Sequence, residues 1–72
     1  MSTPVYSRPI AKRFLGNTNK KEVHDLSKET TQCQIDEIIR ARHAVVFSPD
    51  TLAQAHSEGY DNCAYCIGGS TR

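Results

Sequence analysis

Tryptophan is absent from this 72-residue chain, methionine occurs once, phenylalanine twice and proline three times. Large apolar side chains concentrate in Ile35, Ile38, Ile39, Val45, Val46, Phe47 and Leu52. A chain this short buries little apolar surface, and such domains commonly recruit a metal ion or disulfides. No run approaches the roughly 18 apolar residues of a membrane-spanning helix, so no membrane partner is expected. The opening Met1-Ser2-Thr3-Pro4-Val5-Tyr6-Ser7-Arg8-Pro9 lacks the apolar stretch of a secretory signal. An odd number of cysteines, three, argues against a closed disulfide framework. Together these absences point to a reducing cytoplasm, where a cysteine pattern more often means metal or catalysis than cross-linking. Also missing are a glycine-rich phosphate loop, a His-Glu-x-x-His motif and a carboxylate pair beside the cysteines, which disfavours a hydrolytic enzyme.

Charge of one sign is lacking overall, since the net charge is +1, but it is uneven along the chain. Residues 1–22 carry Arg8, Lys12, Arg13, Lys20 and Lys21 against Glu22, a local +4. Residues 23–72 carry Lys28, Arg40, Arg42 and Arg72 against Asp25, Glu29, Asp36, Glu37, Asp50, Glu58 and Asp61, a local −3. That is a poor footprint for nucleic acid, which favours a basic face or stripe. Residues 1–12 are expected to form a flexible basic arm that can touch phosphate.

What is present is Cys63-Ala64-Tyr65-Cys66 followed by Gly68 and Gly69. Two thiolates at this spacing can grip one ion from a single tight turn, because Zn–S bonds are about 2.3 Å and the site is tetrahedral. A glycine just past the second cysteine lets the backbone curl so that amides point at the sulfurs. A redox role is disfavoured, since a redox Cys-x-x-Cys normally opens a helix and the two glycines prevent one. Cys33 is the only other thiol, so the fourth ligand falls to His24, His43 or His56. His24, between Val23 and Asp25, suits a strand end facing the site. His56 competes from the turn before the knuckle, while His43 is explained by the end of a helix, where a positive charge complements the dipole.

Phe14-Leu15 reads as a short strand entering a Gly16-Asn17-Thr18-Asn19 turn, with Glu22-Val23-His24 returning. Asp25–Thr30 is polar and reads as a loop. Thr31 with Gln34 three residues on forms a capping-box pattern, and the spacing of Ile35, Ile38, Ile39 and Arg42 predicts a helix over 32–42. Cys33 then lies at that helix's start, where the dipole would lower its pKa. Ala44–Phe47 is a β-branched and aromatic strand. Ser48-Pro49-Asp50 predicts a second helix with Ser48 as cap, bearing Leu52, Ala55 and His56 on one face and ending at Gly59. Tyr60 is expected in the core and Tyr65 over the sulfurs.

With these elements in order, Phe14 to Cys66 resembles the Ada-type metal-binding domain of bacterial DNA-repair proteins and their stand-alone relatives. The matching residues are Phe14-Leu15-Gly16-Asn17-Thr18-Asn19, Val23-His24, Cys33, Ile38, Val46-Phe47-Ser48, Ala55, Gly59-Tyr60 and Cys63-x-x-Cys66, spread over about 53 of the 72 residues. The resemblance implies an α+β fold: a small zinc-stabilised domain with a short antiparallel sheet, two helices and a C-terminal Cys-x-x-Cys knuckle. It implies one zinc ion on His24, Cys33, Cys63 and Cys66. Two departures bear on function. The gap from His24 to Cys33 holds eight residues, Asp25–Gln32, where the family's is short. His24 also aligns with the family's methyl-accepting cysteine, and an imidazole cannot replace that nucleophile, so suicidal methyl transfer is disfavoured. The expectation is a domain over 13–69 with a tail at 70–72, not an enzyme, whose closed Cys3His site is structural and whose surface binds a protein partner the sequence does not name. A nucleic-acid-binding accessory module is the alternative, with a thiol-based alkyl acceptor or redox protein behind it.

Overall fold

Phe14 and Leu15 are neighbours in sequence and both are buried, so the strand that carries them is covered on both faces. In the computed structural model, which describes residues 2–68, the strands are β1 (Ser2–Pro4), β2 (Phe14–Asn17), β3 (Glu22–Asp25), β4 (Ala44–Phe47) and β5 (Asp61–Asn62). The helices are α1 (Ile35–Arg40) and α2 (Leu52–Ser57), and short 3-10 turns occupy Leu26–Lys28 and Thr31–Cys33. The sheet order is β1-β4-β2-β3-β5, antiparallel except for the parallel pair β3 and β5. The α+β class with two helices is as expected, while the sheet is mixed rather than antiparallel.

Alternation along the strands divides the core in two. Leu15 and Ala44 pack with Ile35, Ile38 and Ile39 of α1 and with all three cysteines. Phe14, Val23, Val45 and Phe47 pack with Ala55 of α2 and with Tyr60. Phe47 and Tyr60 meet edge to face with centroids 5.1 Å apart. Gly16 lies where that second cluster closes on the sheet: a Cβ there would come within 2.7 Å of Phe47 Cζ and 2.9 Å of Val45 Cγ2.

Both helices are shorter than the sequence predicts. Gln34 adopts a left-handed conformation (φ 53°), so Thr31–Cys33 forms a separate 3-10 turn and α1 begins only at Ile35. Cys33 therefore precedes the helix instead of opening it, and Thr31 and Gln34 form no capping box. Arg42, also left-handed at φ 64°, ends the helix, with its amide on Ile39 O and that of His43 on Ile38 O. The second helix is capped by Thr51, whose hydroxyl accepts the Gln54 amide at 3.1 Å, and not by Ser48. Asp50 serves elsewhere, accepting the amides of Arg13 and Phe14 at 2.7 and 3.0 Å. Gly59, at φ 92°, follows α2 as expected.

The expected flexible arm over 1–12 is the largest difference. Ser2–Pro4 pairs with β4, the Val5 amide bonds to Ala44 O at 3.0 Å, and Val5 packs against the α1-side core. Met1, Gly69 and the expected tail at 70–72 lie outside the described residues.

Candidate metal centre

Strand register decides which histidine meets the cysteines. Leu15 and His24 are antiparallel partners and so face the same side of the sheet, the side that α1 covers. Parallel pairing of Val23 with Asn62 then carries Cys63 alongside β3, where its amide bonds to Val23 O at 3.0 Å. The knuckle closes on itself, with the Ile67 and Gly68 amides on Cys63 O at 3.0 and 2.9 Å and Gly68 at φ 78°. Backbone hydrogen bonds from Tyr65 and Cys66 reach the Cys63 sulfur, and the Asp25 amide points at Cys66 Sγ from 3.3 Å.

His24, Cys33, Cys63 and Cys66 are all buried, and one ligand atom from each lies within 4.8 Å of the other three. Two edges of this group are resolved as contacts: Cys33 Sγ to Cys63 Sγ at 3.8 Å and Cys66 Sγ to His24 Nδ1 at 3.7 Å. A tetrahedron with bonds of about 2.3 Å to sulfur and 2.0–2.1 Å to nitrogen has S···S and S···N edges of roughly 3.8 and 3.5 Å. His24 Nε2 is buried with no hydrogen-bond partner. That nitrogen has been taken out of water without a polar partner, a cost that an ion bound through Nε2 would offset, whereas an ion bound through Nδ1, the nitrogen at the Cys66 edge, would leave it in place.

Burial, opposed by backbone hydrogen bonds, holds the Cys63 thiol above the ordinary cysteine range, and burial pushes Cys66 up to about 12. Burial acts the same way on Cys33, but backbone and hydroxyl hydrogen bonds from Thr30, with those from the neighbouring thiols, outweigh it and leave this thiol below the ordinary range. Desolvation lowers the pKa of His24 against the pull of Glu22 and Glu29, so the imidazole is neutral near pH 7. Neutral imidazole is the form that binds metal.

A cleft of about 110 Å³ adjoins the group, with Asn17, Glu22, Gln32 and Tyr65 around His24, Cys33 and Cys63. Tyr65 stands exposed at its rim, while Tyr60 is buried in the other half of the core, as expected. His56 does not join the group; it is exposed, its Nε2 2.6 Å from Asn62 Oδ1. His43 lies outside it too.

Several residues that frame the site were not singled out in the sequence. Asp25 is buried beside the group, bonded to Arg13 Nε and Nη2 at 3.1 and 3.0 Å and to the Ser27 amide and hydroxyl at 2.9 and 2.6 Å. Burial raises its pKa, but these bonds outweigh burial and keep it ionised. An acid followed two residues later by serine was the available signal, a local turn pattern. Fold and site together define a small α+β protein with a buried Cys3His group that could hold a metal ion. No protein-family model, curated protein or solved structure matches the chain.

Proposed function

We propose that this protein is a small zinc-binding module of the Ada type, with a structural Cys3His site and a folded surface that serves interaction rather than catalysis. The observation that carries the reading is the burial of three thiols and one imidazole within 4.8 Å of one another. Soft thiolates with an imidazole in tetrahedral spacing favour zinc over the hard cations, which take oxygen ligands. With four protein donors the coordination shell is full, leaving no position for an activated water. Bound there, zinc would cross-link β3, the turn before α1 and the C-terminal knuckle, and so replace apolar core that a chain of this size lacks. The Ada-type likeness is supported by the order of strands, helices and knuckle. The alternative of nucleic-acid binding loses support because Arg8 and Arg13, two of the five cations in residues 1–22, are engaged by Glu29, Asp36 and Asp25.

Native mass spectrometry of the purified chain, beside its denatured mass and with a strong chelator, tests this. One zinc per chain is expected, with loss of the helical circular-dichroism signal on chelation. His24→Ala should abolish stoichiometric zinc, whereas His56→Ala should retain it. A metal-free chain that keeps its fold, or zinc retained by H24A and lost by H56A, would overturn the reading.

A further inference from the structure

Cys33 hangs on the long connection between ligands. Eight residues, Asp25–Gln32, separate it from His24. Beyond Asp25, the last residue of β3, the connection contains no regular element but two 3-10 turns, which by themselves hold a thiol loosely. One end of this connection is fastened by the Asp25 bonds to Arg13 and Ser27. The other is fastened by a residue distant in sequence. Arg8 Nη1 and Nη2 donate to the two carboxylate oxygens of Glu29 at 2.7 Å each, and its Nε donates to Asp36 Oδ1 at 2.8 Å. Glu29 precedes Cys33 by four residues and Asp36 follows it by three, so a single guanidinium brackets the ligand. Inside the bracket the Cys33 amide bonds to Thr30 O at 3.0 Å, and the Thr30 hydroxyl lies 3.7 Å from Cys33 Sγ.

The anchor itself is held. Arg8 follows strand β1, and Val5 packs against the half of the core that contains Cys33. Planar, two-pronged contact with a carboxylate is what an arginine fork supplies and a lysine cannot.

We infer that Arg8 is a positioning residue for the metal ligand Cys33: it clamps Glu29 and Asp36 so that docking of residues 5–13 and retention of the metal are linked. The inference rests on the zinc reading above. Linkage is reciprocal, so whatever holds the metal steadies the N-terminal segment, and whatever draws Arg8 away loosens the metal.

The test measures zinc release into excess chelator from the full chain and from Arg8→Gln, Arg8→Lys, Glu29→Gln and the R8Q/E29Q double variant. R8Q and E29Q should each release zinc roughly two- to fivefold faster, the span of a well-formed exposed pair. The double variant should be no faster than the quicker single, since both remove the same contact. R8K should fall between wild type and R8Q. Near 1 M salt, where the Debye length is about 3 Å, the wild type should approach R8Q. Cobalt(II)-loaded R8Q should keep the wild-type thiolate absorption, which shows the ligand set intact. Hydrogen exchange in zinc-loaded R8Q should quicken at residues 5–13 and around Cys33. Unchanged release from R8Q, or additive effects of R8Q and E29Q, overturns this inference while leaving the zinc reading standing. A wild-type chain that holds no zinc overturns both.

Discussion

The donors of the candidate metal centre are not all presented in the same protonation state, and the cause in each case is local. Desolvation keeps His24 neutral, while burial, opposed by backbone hydrogen bonds, leaves Cys63 and Cys66 as thiols at neutral pH when no ion is present. Hydrogen bonds from Thr30 favour the thiolate of Cys33 against its burial. A cation entering this set must displace the protons of Cys63 and Cys66 at least, about two to three per ion at pH 7. Affinity should therefore fall as pH falls, because protons compete for the sulfurs. Titration calorimetry in buffers of different ionisation enthalpy should show an apparent enthalpy that scales with the buffer; independence from buffer would contradict the assignment. At this scale the sequence was informative: the Cys63–Cys66 spacing is a local property, and Cys33 followed as the one remaining thiol. Asp25, read as part of a polar loop, was not, because its burial and its pairing with Arg13 depend on how β3 enters the core.

Element boundaries show where local rules were overridden. Ala44–Phe47 and Gly59 stand where the residue pattern put them, since a β-branched run and a helix-ending glycine act within a few residues. Strand β5 was not visible, being two residues long with no apolar alternation; it exists because β3 offers a free edge. The capping box at Thr31 was lost to the left-handed Gln34, whose conformation no propensity rule requires. Gly16 makes the same point in reverse. Its neighbours Asn17, Thr18 and Asn19 read as a turn that includes it, yet it sits inside β2, where Phe47, Val45 and Tyr60 leave no room for a Cβ. Gly16→Ala should therefore destabilise the zinc-loaded chain by about 1–3 kcal/mol, the usual cost of overpacking. A lowered urea midpoint at fixed zinc would show it, and an unchanged midpoint would mean that the ring of Phe47 moves aside freely.

For the whole molecule, the two half-cores are small and the cysteines belong to one of them. A bound ion would then count as part of the core, and stability should follow its free concentration. At a hundredfold excess over the dissociation constant the linkage is about 2.7 kcal/mol. For a domain of this size that corresponds to a rise in Tm of roughly 10–20 °C. Melting curves in zinc buffers of graded free concentration should display this rise, and a Tm indifferent to zinc would show that the ion contributes nothing to the fold. Among the described residues no helix is long and apolar enough to cross a membrane.

By itself the sequence determined the donor types, the tight turn that presents Cys63 and Cys66, and the α+β alternation, because each follows from residue chemistry over a few positions. Which histidine completes the group was left to tertiary structure. His24 and His56 are equally good ligands in isolation, and only the pairing of Leu15 with His24 and of Val23 with Asn62 puts one beside the sulfurs and the other in solvent. The same is true of residues 2–8 of the expected arm over 1–12, which look like part of a charged tail until β4, Glu29 and Asp36 supply partners more than twenty residues away. Contacts of that sequence separation are set by topology, and no local pattern encodes them.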